Sequence, residues 1–192
     1  MLNGMEGEAI SRLSSDVSVQ VEVENPTALY AQAYCLFCRT GQERGVAAEL
    51  SRWEQTRALF PQRTKMERRG GHWVHTNRPL LPGYVFLYAP EQVELEKVRK
   101  LSNVLRVLRY ADGEGALKGA DRVFADWMWR QSGIIGLSKA VKIGERVQIV
   151  EGPLKDLGGT VIKLDAHKQV AKVQLNIVGS TQWLWLSFDY LK

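Results

Sequence analysis

Two cysteines and three histidines are the only readily metal-binding or redox-active side chains of their kind in the 192 residues. Cys35 and Cys38 stand in CxxC spacing and His72 and His75 in HxxH spacing, which nominally completes a tetrahedral zinc set. The local pattern argues against it. Both cysteines fall inside the strand-like run 33–39, where residues three apart point to opposite faces. A thioredoxin-type pair needs its first cysteine at a helix start, and two cysteines cannot build a disulfide scaffold. Small core residues are the better reading. There is also no phosphate loop, no Gly-x-Ser-x-Gly and no Asp/Glu–His constellation at usable spacing. No enzymatic activity, metal or cofactor is expected.

Binding chemistry is better represented. The net charge is +5, but residues 1–30 hold Glu6, Glu8, Asp16, Glu22 and Glu24 against Arg12, a net of −4, so the remainder carries +9. A basic body of this kind suits a polyanion such as nucleic acid, or is solvated surface charge. Arg63, Lys65, Arg68 and Arg69 gather against Glu67 beside the Gly70-Gly71 turn, where backbone can approach a phosphate closely. Trp183 and Trp185 alternate with Leu184 and Leu186 in a strand-like run, so indoles share one face and leucines the other. The leucines should fill the interior and the indoles stand outside. Lys163, His167, Lys168 and Lys172 lie on neighbouring strands and turns, and aromatic faces beside cations suit unpaired RNA bases. Docking of the indoles on the rest of the chain is the competing reading.

The elements that must position these groups follow from periodicity. Residues 33–39 read as a strand, and Thr40-Gly41-Gln42-Glu43 as a capping box. Val46, Ala47, Leu50 and Trp53 then mark a helical face. Residues 57–69 read as an extended basic arm returning through 72–76. The run 80–88 reads as a buried strand. A second helix is expected from Pro90, with Leu95, Val98 and Leu101 inward and a Glu96–Lys100 pair. Residues 104–110 read as a strand and 121–131 as a third helix with Val123, Phe124, Trp127 and Met128 apolar. This order is α+β, an antiparallel sheet with helices of the ferredoxin or RRM-like kind. Beyond residue 141 only strands are expected: 146–150, 159–164, 170–177 and 182–186, enough for a small SH3-like barrel without open edges. The domains are therefore 1–30, a disordered acidic extension; 31–132, the α+β domain; 133–141, a linker; and 142–192, the barrel.

Two strings stand out: Leu81-Pro82-Gly83-Tyr84-Val85-Phe86, and residues 144–161, which include Gly144, Val147, Ile149, Gly152, Pro153 and Gly159. The first resembles the amino-terminal (NGN) domain signature of the NusG family and the second its KOW motif, and from residue 33 onward the chain resembles that family. Val147 and Ile149 alternate inward as barrel residues should, Gly152-Pro153 makes the turn, and Gly159 relieves crowding at re-entry.

The resemblance implies a transcription elongation factor whose NGN domain docks on the clamp helices of the largest RNA polymerase subunit. The matching surface here is Leu81, Pro82 and Tyr84. If Tyr84 faces polymerase, Val85 and Leu87 face the core, while Phe86 is left open. Where typical members carry Ile-Phe-Gly-Arg for ribosomal NusE and Rho, this chain has Ile177-Val178-Gly179-Ser180. It lacks the aromatic anchor and the cationic fork, so neither partner is expected. The strings 135–139 and 164–168 resemble the LoaP paralogues, which implies processive antitermination after recruitment by a leader RNA hairpin, with contacts to upstream or non-template DNA. Two alternatives stand beside it: a housekeeping NusG-type elongation and termination factor, and a KOW-containing RNA-binding protein independent of polymerase. No apolar run is long enough to span a bilayer and no secretory signal is evident, so a cytoplasmic monomer is expected.

Overall fold

In the computed structural model, residues 29–157 and 161–191 are described. The acidic extension and Gly159 lie outside them, apart from the last two residues of the former. The first sheet has four antiparallel strands in the order β2-β5-β1-β6: β1 (Gln32–Cys38), β2 (Arg57–Leu59), β5 (Tyr84–Ala89) and β6 (Val104–Val107). All six residues of β5 are buried, because helices pack on both faces of this sheet. Leu36, Val85 and Leu87 meet Val46, Ala47 and Leu50 of α1 (Glu43–Leu50) and Val98 of α2 (Leu95–Arg99). Cys35, Phe86 and Tyr88 meet Phe124, Ala125 and Trp127 of α3 (Gly119–Arg130). Burying two opposite faces needs apolar residues at successive positions, which is why the strand reads as a continuous run.

Four local expectations are corrected. The capping box does not form: the N-cap of α1 is Gln42 and not Thr40, no side chain caps it, and Gly41 at φ +87° turns the chain before it. The second helix begins five residues after Pro90, because the amide of Val93 donates to the Tyr34 hydroxyl and holds the segment open. Since α2 ends at Arg99, Glu96 pairs with Arg99 and not with Lys100. On α3 Val123 is 65% exposed, while Ala125 and Trp129 are buried. The helix is rotated so that Trp129 packs on Tyr30 and Tyr88, which turns position 123 outward.

The basic arm is a hairpin of β3 (Gln62–Arg69) and β4 (His72–Pro79), joined by Gly70 and Gly71 at positive φ. Its base pairs in parallel with β7 (Ile134–Ile135). Residues 134–135 and 138–143, within or beside the expected linker, thus form strand: β8 (Ser138–Ile143) pairs with β9 (Arg146–Glu151) and with β12 (Ser180–Tyr190). With β10 (Val161–Asp165) and β11 (Val170–Ile177) these make a five-stranded sheet in the order β10-β11-β12-β8-β9. Leu184, Leu186, Val173 and Ile177 fill its inner face, and Val147 and Ile149 pack partly buried against them. A one-turn helix, α4 (Pro153–Asp156), follows Gly152. No helix among the described residues is long and apolar enough to cross a membrane.

Candidate interaction site at the domain joint

The Leu81-Pro82-Gly83-Tyr84 turn is locked from three directions. Gly83 lies at φ +84°, and a Cβ there would meet the Phe37 ring at 2.8 Å and the Cys38 carbonyl at 3.1 Å. Its carbonyl accepts from the Cys38 amide at 2.7 Å. Its own amide donates to the buried carboxylate of Glu43 at 2.7 Å. Burial pushes the Glu43 carboxyl up, but hydrogen bonds from the amides of Glu43, Gly83 and Gly41 outweigh it and hold the group below its usual range. Glu43 is spent on this turn, which explains why it does not cap α1. The result is a fixed Tyr84, edge-on to Phe37 at 5.3 Å.

Tyr84 shares its face with Phe86 and Tyr88, opposite Val85 and Leu87. That face is covered. Leu81 is 3% exposed and Tyr84 7%, while Pro82 is exposed. Gln182 of β12 donates to the Tyr84 hydroxyl at 3.0 Å. The indole of Trp127 donates to the Pro153 carbonyl at 3.2 Å. A single hydrophobic cluster runs from Leu81 and Tyr84 through Trp127 and Ile135 to Leu154, Ile177 and Leu184. The carboxy-terminal β region is therefore seated on the first sheet and its helix α3.

On the outside of that region Trp183 is 50% and Trp185 42% exposed, and Leu184 and Leu186 are buried, the alternation expected of the strand. Lys163 pairs in register with Lys172, and Lys172 with Trp185, so the three form one row across β10, β11 and β12. The Lys172 ammonium lies 4.1 Å from the Trp183 ring centroid and 5.7 Å from that of Trp185. His167 and Lys168 belong instead to the turn after β10, where the Lys168 amide closes onto Asp165. They are not part of the row.

The hairpin divides the cations expected to act together. Arg63, Lys65, Glu67 and Arg69 alternate onto one face, with Arg78 opposite Arg63. Arg78 grips both Glu67 oxygens at 2.9 and 2.7 Å and holds that carboxyl down at about 2. Arg69 adds a longer contact of 3.6 Å. Arg68 lies on the other face, opposite Trp73, which is 66% exposed. Arg63 leaves the arm for the joint: its guanidinium donates to the Trp185 carbonyl.

Cys35 and Cys38 are free and buried in the two opposite-facing clusters. Burial pushes both thiols up, that of Cys38 to about 11 with the Glu43 carboxylate adding to the effect. His72 and His75 sit on the exposed hairpin. Among the described residues no three His, Cys, Asp or Glu side chains gather as a metal site.

Residues 32–119, which hold the first sheet, the hairpin and the locked turn, match the family model described as "Transcription termination factor nusG". This part of the chain is similar to the NusG family. The chain is also 26% identical over 180 residues to the transcription termination/antitermination protein NusG of Thermus thermophilus, covering 81% of this chain and 95% of that one. It is 28% identical over 142 residues to the corresponding protein of Pasteurella multocida, covering 70% and 75%. A solved structure described as "Domain interaction in Thermotoga maritima NusG" is similar at 21% identity and a TM-score of 0.49, over 81% of this chain and 93% of that one.

Of the NusG-type surface residues named from the sequence, Leu81 and Tyr84 come together at the joint, with Pro82 at its edge. Four contributors were missed: Glu43, Gln182, Arg78 and Trp73. Glu43 had a signal, since a carboxylate at a helix start that lacks a capping hydroxyl must find other amides. Gln182 had none, because its partner lies 98 residues away.

Proposed function

We propose that this protein is a transcription elongation factor that binds RNA polymerase through Leu81, Pro82 and Tyr84 on the clamp helices of the largest subunit. The observation that carries the proposal is the locked turn within the NusG-family match: the Gly83–Glu43, Cys38–Gly83 and Tyr84–Leu81 hydrogen bonds hold Tyr84 in place at the start of β5. The β region, read as the KOW domain, sits over that face through Gln182 and must leave before polymerase can reach it. Within the family, a specialised role in processive antitermination of the LoaP kind, recruited by a leader RNA hairpin, is favoured over a housekeeping one. Its support is the Ile177-Val178-Gly179-Ser180 tip, in which Ile177 is buried and no aromatic or arginine is offered to NusE or Rho. Exposed Trp183 and Trp185 with Lys172 and Lys163 add a surface suited to RNA. No catalytic step is assigned.

Co-purification of polymerase with the wild-type chain and with Leu81→Asp tests the reading. An unpaired carboxylate in that apolar contact costs about 3–5 kcal/mol when fully buried. Equal polymerase recovery by a variant that retains its circular dichroism would refute the assignment.

A further inference from the structure

Arg63 is the unusual cation of this molecule. Its Nε is buried with no partner, and no carboxylate lies within ion-pair distance of it among the described residues. Among the described residues, the one hydrogen bond of its side chain is to the carbonyl of Trp185, a residue 122 positions away. Desolvation lowers its pKa, so the charge is held where it is costly. A guanidinium partly withdrawn from water, its Nε unpartnered and no anion beside it, is a poor arrangement unless an anion arrives. Lys65 stands two residues further along β3 on the same face and is exposed. Trp185, whose carbonyl Arg63 reaches, and Trp183 carry half-exposed indoles, with the Lys172 ammonium within cation–π distance of both rings and Lys163 in the same row. Cations from the hairpin and stacking surfaces from the β region thus border one another only because the two parts are docked.

We infer that the docked arrangement builds a composite site for a short unpaired stretch of RNA, its bases stacked on Trp183 and Trp185 and its phosphates held by Arg63 and Lys65. This rests on the proposed RNA reading of the indole face and adds the hairpin to it. The chemistry matches the ligand: each base has a π-face for an indole, and each linkage has one negative charge for the unpaired guanidinium. An acidic peptide would use the cations but leave the two indole faces bare. The site joins two parts that must separate for Tyr84 to meet polymerase. Bound RNA therefore favours the closed form, and by linkage polymerase weakens RNA binding by the same factor. The protein would hold the transcript while its polymerase surface is covered and release it on transfer.

The test uses the full chain and a fluorescein-labelled uridine tetranucleotide, followed by anisotropy. Trp183→Ala and Lys65→Glu both alter exposed side chains, and circular dichroism checks their folding. Binding at one equivalent, weakened about fivefold or more by each variant, is the expected result. Loss with Trp183→Ala alone would leave the indole reading intact and overturn the composite site. Loss with Lys65→Glu alone, or binding at two equivalents, would overturn it as well. No loss with either variant would remove both. Thymidine tetradeoxynucleotide binding as tightly as the RNA would overturn the assignment to RNA. In the same assay saturating tetranucleotide should reduce polymerase co-purification, and an increase would contradict the closed-form requirement.

Discussion

Glu43 and Gly83, 40 residues apart in sequence, are joined by a hydrogen bond of 2.7 Å from the glycine amide to the carboxylate. The bond ties the start of α1 to the turn before β5, so a helix that packs on one face of the sheet fixes a tyrosine that emerges on the other.

Glu43→Ala should leave the Gly83 amide buried without its partner and lower stability by about 1–3 kcal/mol. The folded carboxyl sits below its usual range. Its contribution is therefore complete above the unfolded value, ~4.3 for a glutamate, and is lost as pH falls through the folded one. Urea melts of wild type and variant between neutral and acidic pH would show the gap closing. A gap that stays constant down to the acid transition would contradict the role given to Glu43.

Gln182→Ala removes the bond to the Tyr84 hydroxyl without altering Leu81, Pro82 or Tyr84, the surface proposed for polymerase. One such bond contributes about 1 kcal/mol, so the open form should rise about fivefold. Polymerase recovery at limiting concentration should rise with it. Lower recovery from a folded variant would mean that Gln182 itself belongs to the polymerase contact.

Gly152 stands at φ +91°, and a Cβ there would come within 2.8 Å of the Ser138 Cα. That clash is with backbone and not with a flexible side-chain end, so Gly152→Ala should destabilise the β region by more than about 1 kcal/mol. Thermal unfolding followed in the near-ultraviolet, where Trp183 and Trp185 report, is the measurement. An unchanged midpoint would show that the turn relaxes.

Cys35 and Cys38 are buried, and both thiols are pushed up by that burial, so thiolate is scarce at neutral pH. Ellman's reagent should react with neither in the native chain and with both in guanidinium. Rapid native reaction would point to an opening of the first sheet.

Patterns confined to one element were legible in the sequence. The alternation of Trp183 and Trp185 with Leu184 and Leu186 follows from the pleat alone, and the opposite facing of Cys35 and Cys38 from their spacing. Failures came where a distant partner decided. Thr40 to Glu43 has a capping-box spelling, yet Gly83 claims the carboxylate. Pro90 is a good helix start, yet Tyr34 holds Val93 out of one. The four hairpin cations form a cluster when written in a line. Strand alternation then separates Arg68 from the rest, and the joint takes Arg63. The seating of the β region on Tyr84 rests on Gln182 and Trp127, whose partners have no sequence proximity at all.

Only Gly136 and Leu137 separate β7, which is laddered to the hairpin, from β8, which belongs to the other sheet. Two residues reach about 7 Å at most. While β7 stays paired, an undocked β region cannot drift away, and its effective concentration at its own seat stays in the millimolar range or above. A polymerase present at micromolar levels competes poorly against such a tether. Under the proposed function, stable loading would therefore require the Gln62–Ile134 and Arg63–Ile135 pairs to unzip as well, lengthening the leash at the cost of that short ladder and placing the slow step at the base of the hairpin.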